Sequence, residues 1–340
     1  MSARGARPSA ARLLALVEAL PHARVMVLGD PVLDEFVFGE IARVSREAPV
    51  LILDHRDSKT MPGGAGNTAA NLAALGVQVG LCARVGDDER GAALRELLAN
   101  IHVDVEGMIA ERRYVTPSKS RILAGSPHTA KQQIVRLDRG RSDCPLAAGT
   151  RRALIRRARA WRRRGAALLV ADYGYGSVDP ELVTQIGGGD GPMTLDSRFA
   201  LPAYRGVDAA TPNLEELERA AGVVLADEDE AGIVAAARRL RRRLGARALL
   251  VTRGSRGMTL LESRRAPRTI PVFGSDEIAD VTGAGDTVIA VFTAARAAGG
   301  SWAEAAELAN IAGGLVVMKR GTATVSREEL VQAIEEAHGP

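Results

Sequence analysis

Short runs of apolar residues alternate along the chain with longer segments of helical periodicity. Several of the apolar runs end at polar residues, and the segments between them carry apolar residues at three- and four-residue spacing. This alternation is typical of a mainly parallel sheet covered by helices on both faces, which predicts an α/β fold. The predicted strands span residues 24–29, 79–85, 167–171, 193–196, 207–210 and 248–252; predicted helices span 10–20, 67–75 and 89–100 and follow Asn213, Asp286, Ser301 and Ser326.

Two stretches break this rhythm, residues 36–54 and 114–136, in which β-branched and polar residues alternate without helical spacing. They predict hairpins that leave the main sheet and form a small β lid, inserted at about residues 35–60 and 112–138 of a single domain spanning 23–340. Residues 1–22 predict a basic leader that ends in a short helix. A lid would matter for phosphoryl transfer, because water that reaches the donor competes with the acceptor.

The stretch Asp280-Val281-Thr282-Gly283-Ala284-Gly285-Asp286 precedes a long apolar run. This arrangement predicts small residues at the N-terminus of a buried helix, where backbone amides are unpaired and the helix dipole is positive. An anion can approach such a backbone closely, and Asp286 on the first turn could take a proton from an attacking hydroxyl. The alternative is an ordinary glycine-rich helix start at which Asp286 only favours the dipole.

The net charge is +4, and the basic residues are bunched at residues 151–164 and 238–243. Such runs can bind nucleic acid. However, Leu154, Ala158 and Trp161 keep an apolar helical stripe within the first run, and few aromatic residues are available to stack on bases. We therefore expect solvated helix faces and no nucleic-acid partner.

The cysteine content and the hydropathy indicate a cytoplasmic protein. Cys82 and Cys144 do not make a disulfide framework, which favours a reducing compartment. No apolar run is long enough to span a bilayer, and the first residues lack the apolar core of a signal peptide. We expect no membrane association.

Four motifs together carry a resemblance to a known family. They are Pro62-Gly63-Gly64-Ala65-Gly66-Asn67, Asn213-Leu214-Glu215-Glu216, Thr252-Arg253-Gly254-Ser255-Arg256-Gly257 and the stretch 280–286. In this order and spacing, over residues 24–338, the chain resembles the ribokinase (PfkB) family of carbohydrate kinases. The resemblance implies a ribokinase-like fold and ATP-dependent phosphorylation of a sugar.

Within that family the chain is most similar to the kinases of D-glycero-D-manno-heptose 7-phosphate. Residues 29–34, 43–50, 135–138 and 282–289 carry this narrower match. It implies phosphorylation of the anomeric hydroxyl to give the 1,7-bisphosphate, in the biosynthesis of nucleotide-activated heptose. In some relatives an adenylyltransferase half follows the kinase, and since this sequence ends at residue 340 we expect none here.

The resemblance also implies residue roles on the phosphoryl-donor side. Asp286 matches the base, and the amides of Gly283, Ala284 and Gly285 match the anion hole. Asn213 and Glu216 match a motif in which the carboxylate positions Mg²⁺ through water; the alternative is a capped helix start. Thr252, Gly254 and Gly257 match the loop along the nucleotide phosphates, Asn310 matches a position beside the adenine, and Asp280 and Thr282 match a monovalent-cation site, for example for K⁺, in several relatives.

On the acceptor side the resemblance implies a sugar site and a phosphate site. Asp34, Gly63, Gly64 and Asn67 match residues that meet sugar hydroxyls, and Asp172, after the predicted strand 167–171, should face the same cleft. A 7-phosphate needs cations, and Lys119, Arg121 and Arg136 on the lid and Arg198 after the predicted strand 193–196 are candidates. The alternative for the lid residues is solvent-facing charge.

The chain departs from the heptose kinases at two places. Asp196-Ser197-Arg198-Phe199 replaces their Asp-Pro-Lys-Gly, and Tyr173-Gly174-Tyr175-Gly176 replaces Tyr-Ala-Lys-Gly. Both changes remove a lysine, and an arginine presents its charge with a different geometry. The identity of the substrate therefore depends most on these positions.

Three hypotheses follow. The first is the heptose 7-phosphate kinase. The second is a PfkB-type kinase of another sugar, sugar phosphate or nucleoside. If its acceptor carries no phosphate, we expect that the four candidate cations do not converge on one anion; these are Lys119, Arg121, Arg136 and Arg198. The third is a non-catalytic sugar-binding regulator. In relatives the lid often pairs across a two-fold axis, so we also expect a homodimer through the lid.

Overall fold

Within the described residues, nine strands form the central sheet of this computed structural model. They are β1 (Arg24–Gly29), β4 (Gln78–Gly86), β5 (Met108–Glu111), β8 (Ala167–Asp172), β9 (Met193–Ser197), β10 (Ala209–Ala210), β11 (Ala248–Thr252), β12 (Met258–Glu262) and β13 (Arg268–Ile270). The order is β13-β12-β11-β10-β9-β8-β1-β4-β5, with β12 and β13 antiparallel at one edge and the other neighbours parallel. The structure describes residues 7–125, 131–140, 144–274, 280–319, 321 and 323–338, so residues 1–6 of the predicted leader and 126–130 of the predicted lid lie outside it.

Helices cover both faces of this sheet. They are α1 (Ala10–Ala19), α2 (Ala65–Ala74), α3 (Glu89–Asn100), α4 (Ala148–Arg162), α5 (Pro180–Ile186), α6 (Leu214–Ala221), α7 (Glu230–Leu244), α8 (Ala284–Ala297), α9 (Trp302–Val317) and α10 (Arg327–His338). Alternate residues of β1 point to opposite faces: Val25 and Val27 join one core with α2, α8 and α9, whereas Met26 and Leu28 join the other with α4, α5 and α7. This two-sided burial confirms the predicted α/β class.

The lid is a separate sheet of four strands among the described residues, with the order β3-β2-β6-β7. Its strands are β2 (Pro31–Val44), β3 (Leu51–Gly64), β6 (Ser118–Gly125) and β7 (Gln132–Arg139). The two predicted hairpins are joined because β2 and β6 pair in parallel, with Asp34 opposite Lys119. The lid strands start next to the central sheet, since β2 follows β1 after a single residue.

Some predicted boundaries differ from the structure. The strand predicted at 207–210 is only the two-residue β10, and the chain just before it is held at the end of α7, where the amide of Gly206 donates to the carbonyl of Leu244 at 3.0 Å. The helix predicted at 67–75 begins earlier, at Ala65. The short β5 and the antiparallel pair β12 and β13 were not predicted, because their brief apolar runs lack a distinctive period.

The arginine-rich helix α4 binds groups of the chain itself. Arg157 pairs with Asp104 at 2.6 Å and Glu106 at 2.7 Å, and the buried Arg162 donates to the carbonyl of Gly191 at 2.8 Å. None of the helices in the described part of the chain is both long and apolar enough to cross a membrane. Cys82 and Cys144 are free thiols.

Candidate active site

A cleft of about 390 Å³ opens beyond the carboxyl ends of the central strands, beneath the lid. The chain reverses direction across the sheet at β1, since β4 and β5 lie on one side of it and β8 to β11 on the other. Ligands of open parallel sheets bind at such a reversal. The cleft is lined by Asp34, Gly64, Lys119, Arg121, Arg136, Asp172, Tyr173, Asp196, Arg198, Thr211, Asn213, Glu216, Thr252, Val281, Thr282, Gly283, Gly285 and Asp286.

Helix α8 presents its N-terminus to this cleft. Gly283 caps it with φ of +80°, in the left-handed region that a glycine adopts without strain. Gly283 and Gly285 line the cleft, whereas Ala284 does not, and its amide donates to the carbonyl of Val281 at 3.3 Å. The anion hole predicted from the three amides stays a prediction.

Asp286 lies on the first turn of α8, and only 5% of it is exposed. Its Oδ2 accepts from Nδ2 of Asn67 at 2.8 Å, and its Oδ1 accepts from Oγ1 of Thr68 at 3.4 Å and from the hydroxyl of Tyr173. Burial and, to a smaller extent, the nearby Asp34 raise the pKa of Asp286 to about 6, against the lowering effect of these donors. A carboxylate that titrates near 6 is ionised at neutral pH and can accept a proton from a substrate hydroxyl.

Asp34 faces the cleft from the start of the lid. Its Oδ1 forms an ion pair with Nη1 of Arg121 at 2.6 Å. Gly63 allows this placement, because a Cβ there would lie 2.2 Å from Oδ2 of Asp34. Gly64, with φ of +57°, turns the chain from β3 into α2.

Two predicted sugar-binding residues have other partners. Asn67 does not line the cleft, and its amide holds Asp286. Asp172 does line it, but its carboxylate already accepts from the hydroxyls of Ser197 and Tyr204, each at 2.8 Å, and from the amide of Gly174 at 2.9 Å. These bonds join the end of β8 to neighbouring segments and use most of the acceptor capacity of the Asp172 carboxylate.

The four predicted phosphate-binding cations line this one cleft. Arg136 forms two hydrogen bonds with Asp138, at 2.9 and 3.0 Å, and the Arg198 guanidinium lies over the Tyr173 ring, 5.5 Å from its centroid. Burial and the neighbouring charge of Arg198 lower the pKa of Lys119. Like charges held together at partial burial repel one another, so the cluster favours a bound anion.

The cleft also holds acidic side chains, which interact with Arg198. Asn213 and Glu216 form a capping box at the start of α6, with Glu216 N donating to Oδ1 of Asn213 at 2.8 Å and Asn213 N donating to Oε2 of Glu216 at 3.0 Å. The capped helix start is therefore observed, and both residues also line the cleft. Burial and the charge of Glu216 raise the pKa of Asp196 well above its ordinary range, and burial also raises that of Glu216. Two neighbouring carboxylates with raised pKa values fit a site that attracts a cation.

The remaining predicted nucleotide residues divide into two groups. Thr252 lines the cleft, whereas Gly254 and Gly257 are not among its lining residues and lie in the turn between β11 and β12. Asn310 is buried on α9, also away from the lining, and its Nδ2 donates to the carbonyl of Pro271 at 2.9 Å. Their nucleotide roles remain predictions.

The carboxylate of Asp280 binds two backbone amides, those of Thr282 at 2.9 Å and Gly321 at 3.0 Å. Burial opposes ionisation, but these hydrogen bonds outweigh it and lower the pKa of Asp280. Among the described residues, no group of three or more histidine, cysteine or acidic side chains is placed to hold a metal ion. A monovalent cation beside Asp280 and Thr282 stays a prediction.

The sequence profile of the pfkB family carbohydrate kinases matches residues 31–137 and 196–329. The chain belongs to the pfkB family. It is 42% identical over 327 residues to the bifunctional protein HldE of Nitrosococcus oceani and 40% identical over 323 residues to that of Methylococcus capsulatus, each match covering 94% of this chain. The chain spans 66% and 65% of the length of these two relatives.

Solved pfkB-type structures share the fold. The ribokinase of Arabidopsis thaliana complexed with ribose and ATP superposes with a TM-score of 0.68 at 20% identity, over 92% of this chain and 99% of that one. Phosphofructokinase-2 from Escherichia coli, in complex with substrates and products, gives a TM-score of 0.74 at 19% identity, over 92% and 99% of the two chains. The predicted ribokinase-like fold is thereby confirmed.

Sequence reasoning missed several residues of this pfkB site. Tyr173 and Thr68 contact Asp286. Asp196, expected only as a polar residue at the end of a strand, interacts with Glu216. Tyr173 and Asp196 follow or end predicted strands, which was a usable signal for a place in the cleft but not for a partner. Thr68 gave none, because it is one of several small residues in a helix.

Proposed function

We propose that this chain is an ATP-dependent kinase that phosphorylates the anomeric hydroxyl of D-glycero-D-manno-heptose 7-phosphate. The observation that carries the proposal is one cleft that combines a buried base, a helix N-terminus and a cluster of cations on the acceptor side. The base and the helix N-terminus suit phosphoryl transfer, which depends mainly on alignment and charge neutralisation. The cations suit an acceptor that already carries a phosphate.

In this proposal Asp286 accepts the proton of the sugar hydroxyl as that oxygen attacks the γ-phosphorus of ATP. The bond from γ-phosphorus to the bridging oxygen breaks, and ADP leaves with the electron pair. The amides of Gly283 and Gly285 face the charge that develops on the transferred group. Lys119 and Arg198 bind the distal phosphate of the sugar, and Asp34, held by Arg121, accepts from a ring hydroxyl.

Mg²⁺ fits the acidic side chains of the cleft, where it would neutralise charge on the ATP phosphates. We propose that Glu216 positions it through water, since the Glu216 carboxylate lines the cleft together with Asp196. We further propose K⁺ as the cation at Asp280 and Thr282. The free thiols and the use of ATP favour a cytoplasmic location.

We also propose that the lid forms a homodimer contact. Strand β7 is an edge of the lid sheet with both faces uncovered, and it exposes the apolar side chains of Ile134, Val135 and Leu137. Open edges and exposed apolar patches favour association with a second copy. Sedimentation of the wild type and of Val135→Asp tests this, and a wild-type monomer at micromolar concentration would refute it.

The substrate is tested by comparing heptose 7-phosphate, the free heptose, fructose 6-phosphate, ribose and adenosine with ATP and Mg²⁺. We expect heptose 7-phosphate to give the highest kcat/KM. Arg198→Ala should lower that value by about tenfold to a hundredfold, because a charge-assisted hydrogen bond is lost. A preference for an unphosphorylated acceptor would overturn the substrate assignment. The absence of turnover with every acceptor would overturn the proposed kinase activity.

A further inference from the structure

Tyr173 reaches the proposed base from outside its helix. It lies on the loop after β8, and its hydroxyl donates to Oδ1 of Asp286. Asn67 donates to the other oxygen, Oδ2, at 2.8 Å. With a donor on each oxygen, the plane of the Asp286 carboxylate is fixed.

The loop that carries Tyr173 is itself held from beneath. Asp30, which is fully buried after β1, accepts from the backbone amides of Tyr173 and Tyr175, each at 3.0 Å, and of Ser177 at 2.7 Å. The guanidinium of Arg84, also fully buried, donates to the carbonyl of Tyr175 at 3.0 Å. Because a buried carboxylate that lost these amides would be left unpaired, the loop has little freedom to move.

We propose that Tyr173 is a positioning residue, whose hydroxyl orients the Asp286 carboxylate toward the acceptor and favours its ionised form. This inference rests on the proposed kinase function, in which Asp286 is the base. The phenol acts through Asp286 and does not itself exchange a proton with substrate. Burial and the Asp286 and Asp196 charges raise the pKa of Tyr173 well above its ordinary range, so it remains a donor at every working pH.

Several groups on other elements act on Asp286 at the same time. Burial and Asp34 of the lid raise its pKa, the hydrogen bonds from Tyr173, Asn67 and Thr68 lower it, and the resulting pKa is about 6. The Asp196 carboxylate interacts with Asp286 from β9, and Arg198 lies over the Tyr173 ring. Among the lowering groups the Tyr173 hydroxyl has the largest effect, so its removal should raise the pKa of Asp286.

The test is the pH dependence of kcat/KM between pH 5 and pH 9 for the wild type, Tyr173→Phe and Tyr175→Phe. Tyr175→Phe is the matched control, because it removes a hydroxyl from the same loop and leaves the backbone bonds to Asp30 and Arg84 in place. Tyr173→Phe should move the acid limb upward by about one pH unit, as expected for loss of one hydrogen bond to a charged group, and should lower kcat more than it changes either KM. Tyr175→Phe should leave the acid limb at the wild-type position.

An acid limb that stays at the wild-type pH in Tyr173→Phe would overturn the inference, even if kcat fell, because a purely structural role does not move a titration. Thermal unfolding of both variants is the control that each of them is folded. Failure of the proposed function gives a different result: the wild type itself would not turn over the heptose phosphate, or Asp286→Asn would retain its rate.

Discussion

The Asp286→Asn substitution should stabilise the fold while it abolishes turnover. Burial raises the pKa of Asp286 from 3.8 to about 6 in the folded chain. Folding therefore binds a proton between these two pH values, so the favourable contribution of the protonated group is complete below 3.8 and is lost as pH rises toward 6. A shift of about two pH units corresponds to about 3 kcal/mol of stability lost at neutral pH, and an asparagine does not incur this loss.

Urea unfolding at pH 5 and pH 8 measures the effect. From pH 5 to pH 8, the free energy of unfolding of the variant should increase relative to that of the wild type. The increase should be about half of the 3 kcal/mol loss given above, or about one to two kcal/mol. Comparing two pH values removes the constant effect of replacing a hydrogen-bond acceptor by an amide donor. Asp190→Asn, at an exposed position, is the control and should show no such increase.

The same variant tests the chemistry. Loss of a general base should lower kcat by about a hundredfold to ten-thousandfold, while ATP and sugar binding, measured by calorimetry, stay close to wild type. If the relative stability were the same at both pH values, Asp286 would not carry a buried charge. Turnover equal to that of the wild type would remove it from the role of base.

Two further substitutions test the acceptor site and the loop beneath it. Gly63→Ala places a Cβ 2.2 Å from Oδ2 of Asp34, so the carboxylate must shift. The KM for the sugar should therefore rise about tenfold or more, while the KM for ATP stays unchanged. Equal sugar KM values in the variant and the wild type would refute the placement of Asp34. Arg84→Met removes a buried guanidinium from three carbonyl groups and should lower the free energy of unfolding by about 3 kcal/mol or more. The control Arg112→Met, at a side chain that is 93% exposed, should change it by less than about 0.5 kcal/mol. Similar urea midpoints for the two variants would contradict this prediction.

The fold could be predicted from the sequence because each part of it has a local signal. The buried strands β1, β8 and β11 are short apolar runs, and the glycines before α8 mark a helix start. The antiparallel edge formed by β12 and β13 has no such signal, since its short segments depend on pairing with β11. Local pattern therefore predicted the class and the cleft, but not the full sheet.

The site was predicted only as far as single residues can be assigned by motif. Asp286 was placed correctly at the start of α8, but its partners Asn67 and Tyr173 lie 219 and 113 residues away along the chain. Such contacts depend on how helices and loops meet across the sheet, and no spacing rule encodes them. For the same reason the sequence did not show that the Asp172 carboxylate accepts hydrogen bonds from Ser197 and Tyr204, or that the Asn67 amide donates to Asp286.

The parallel pairing of β2 with β6 has a consequence for how new specificities can arise. Asp34, Lys119 and Arg121 sit on these two adjoining strands, and Arg136 on the next, whereas Asp286 and Glu216 belong to helices packed on the other sheet. In the proposed kinase, substitutions in the smaller sheet would change contacts with the acceptor while Asp286 and Glu216 stay in place, and Asp34 is the lid residue whose replacement would also shift the pKa of Asp286. Selection could thus vary the acceptor mainly through one sheet and keep the phosphoryl-transfer groups on the other.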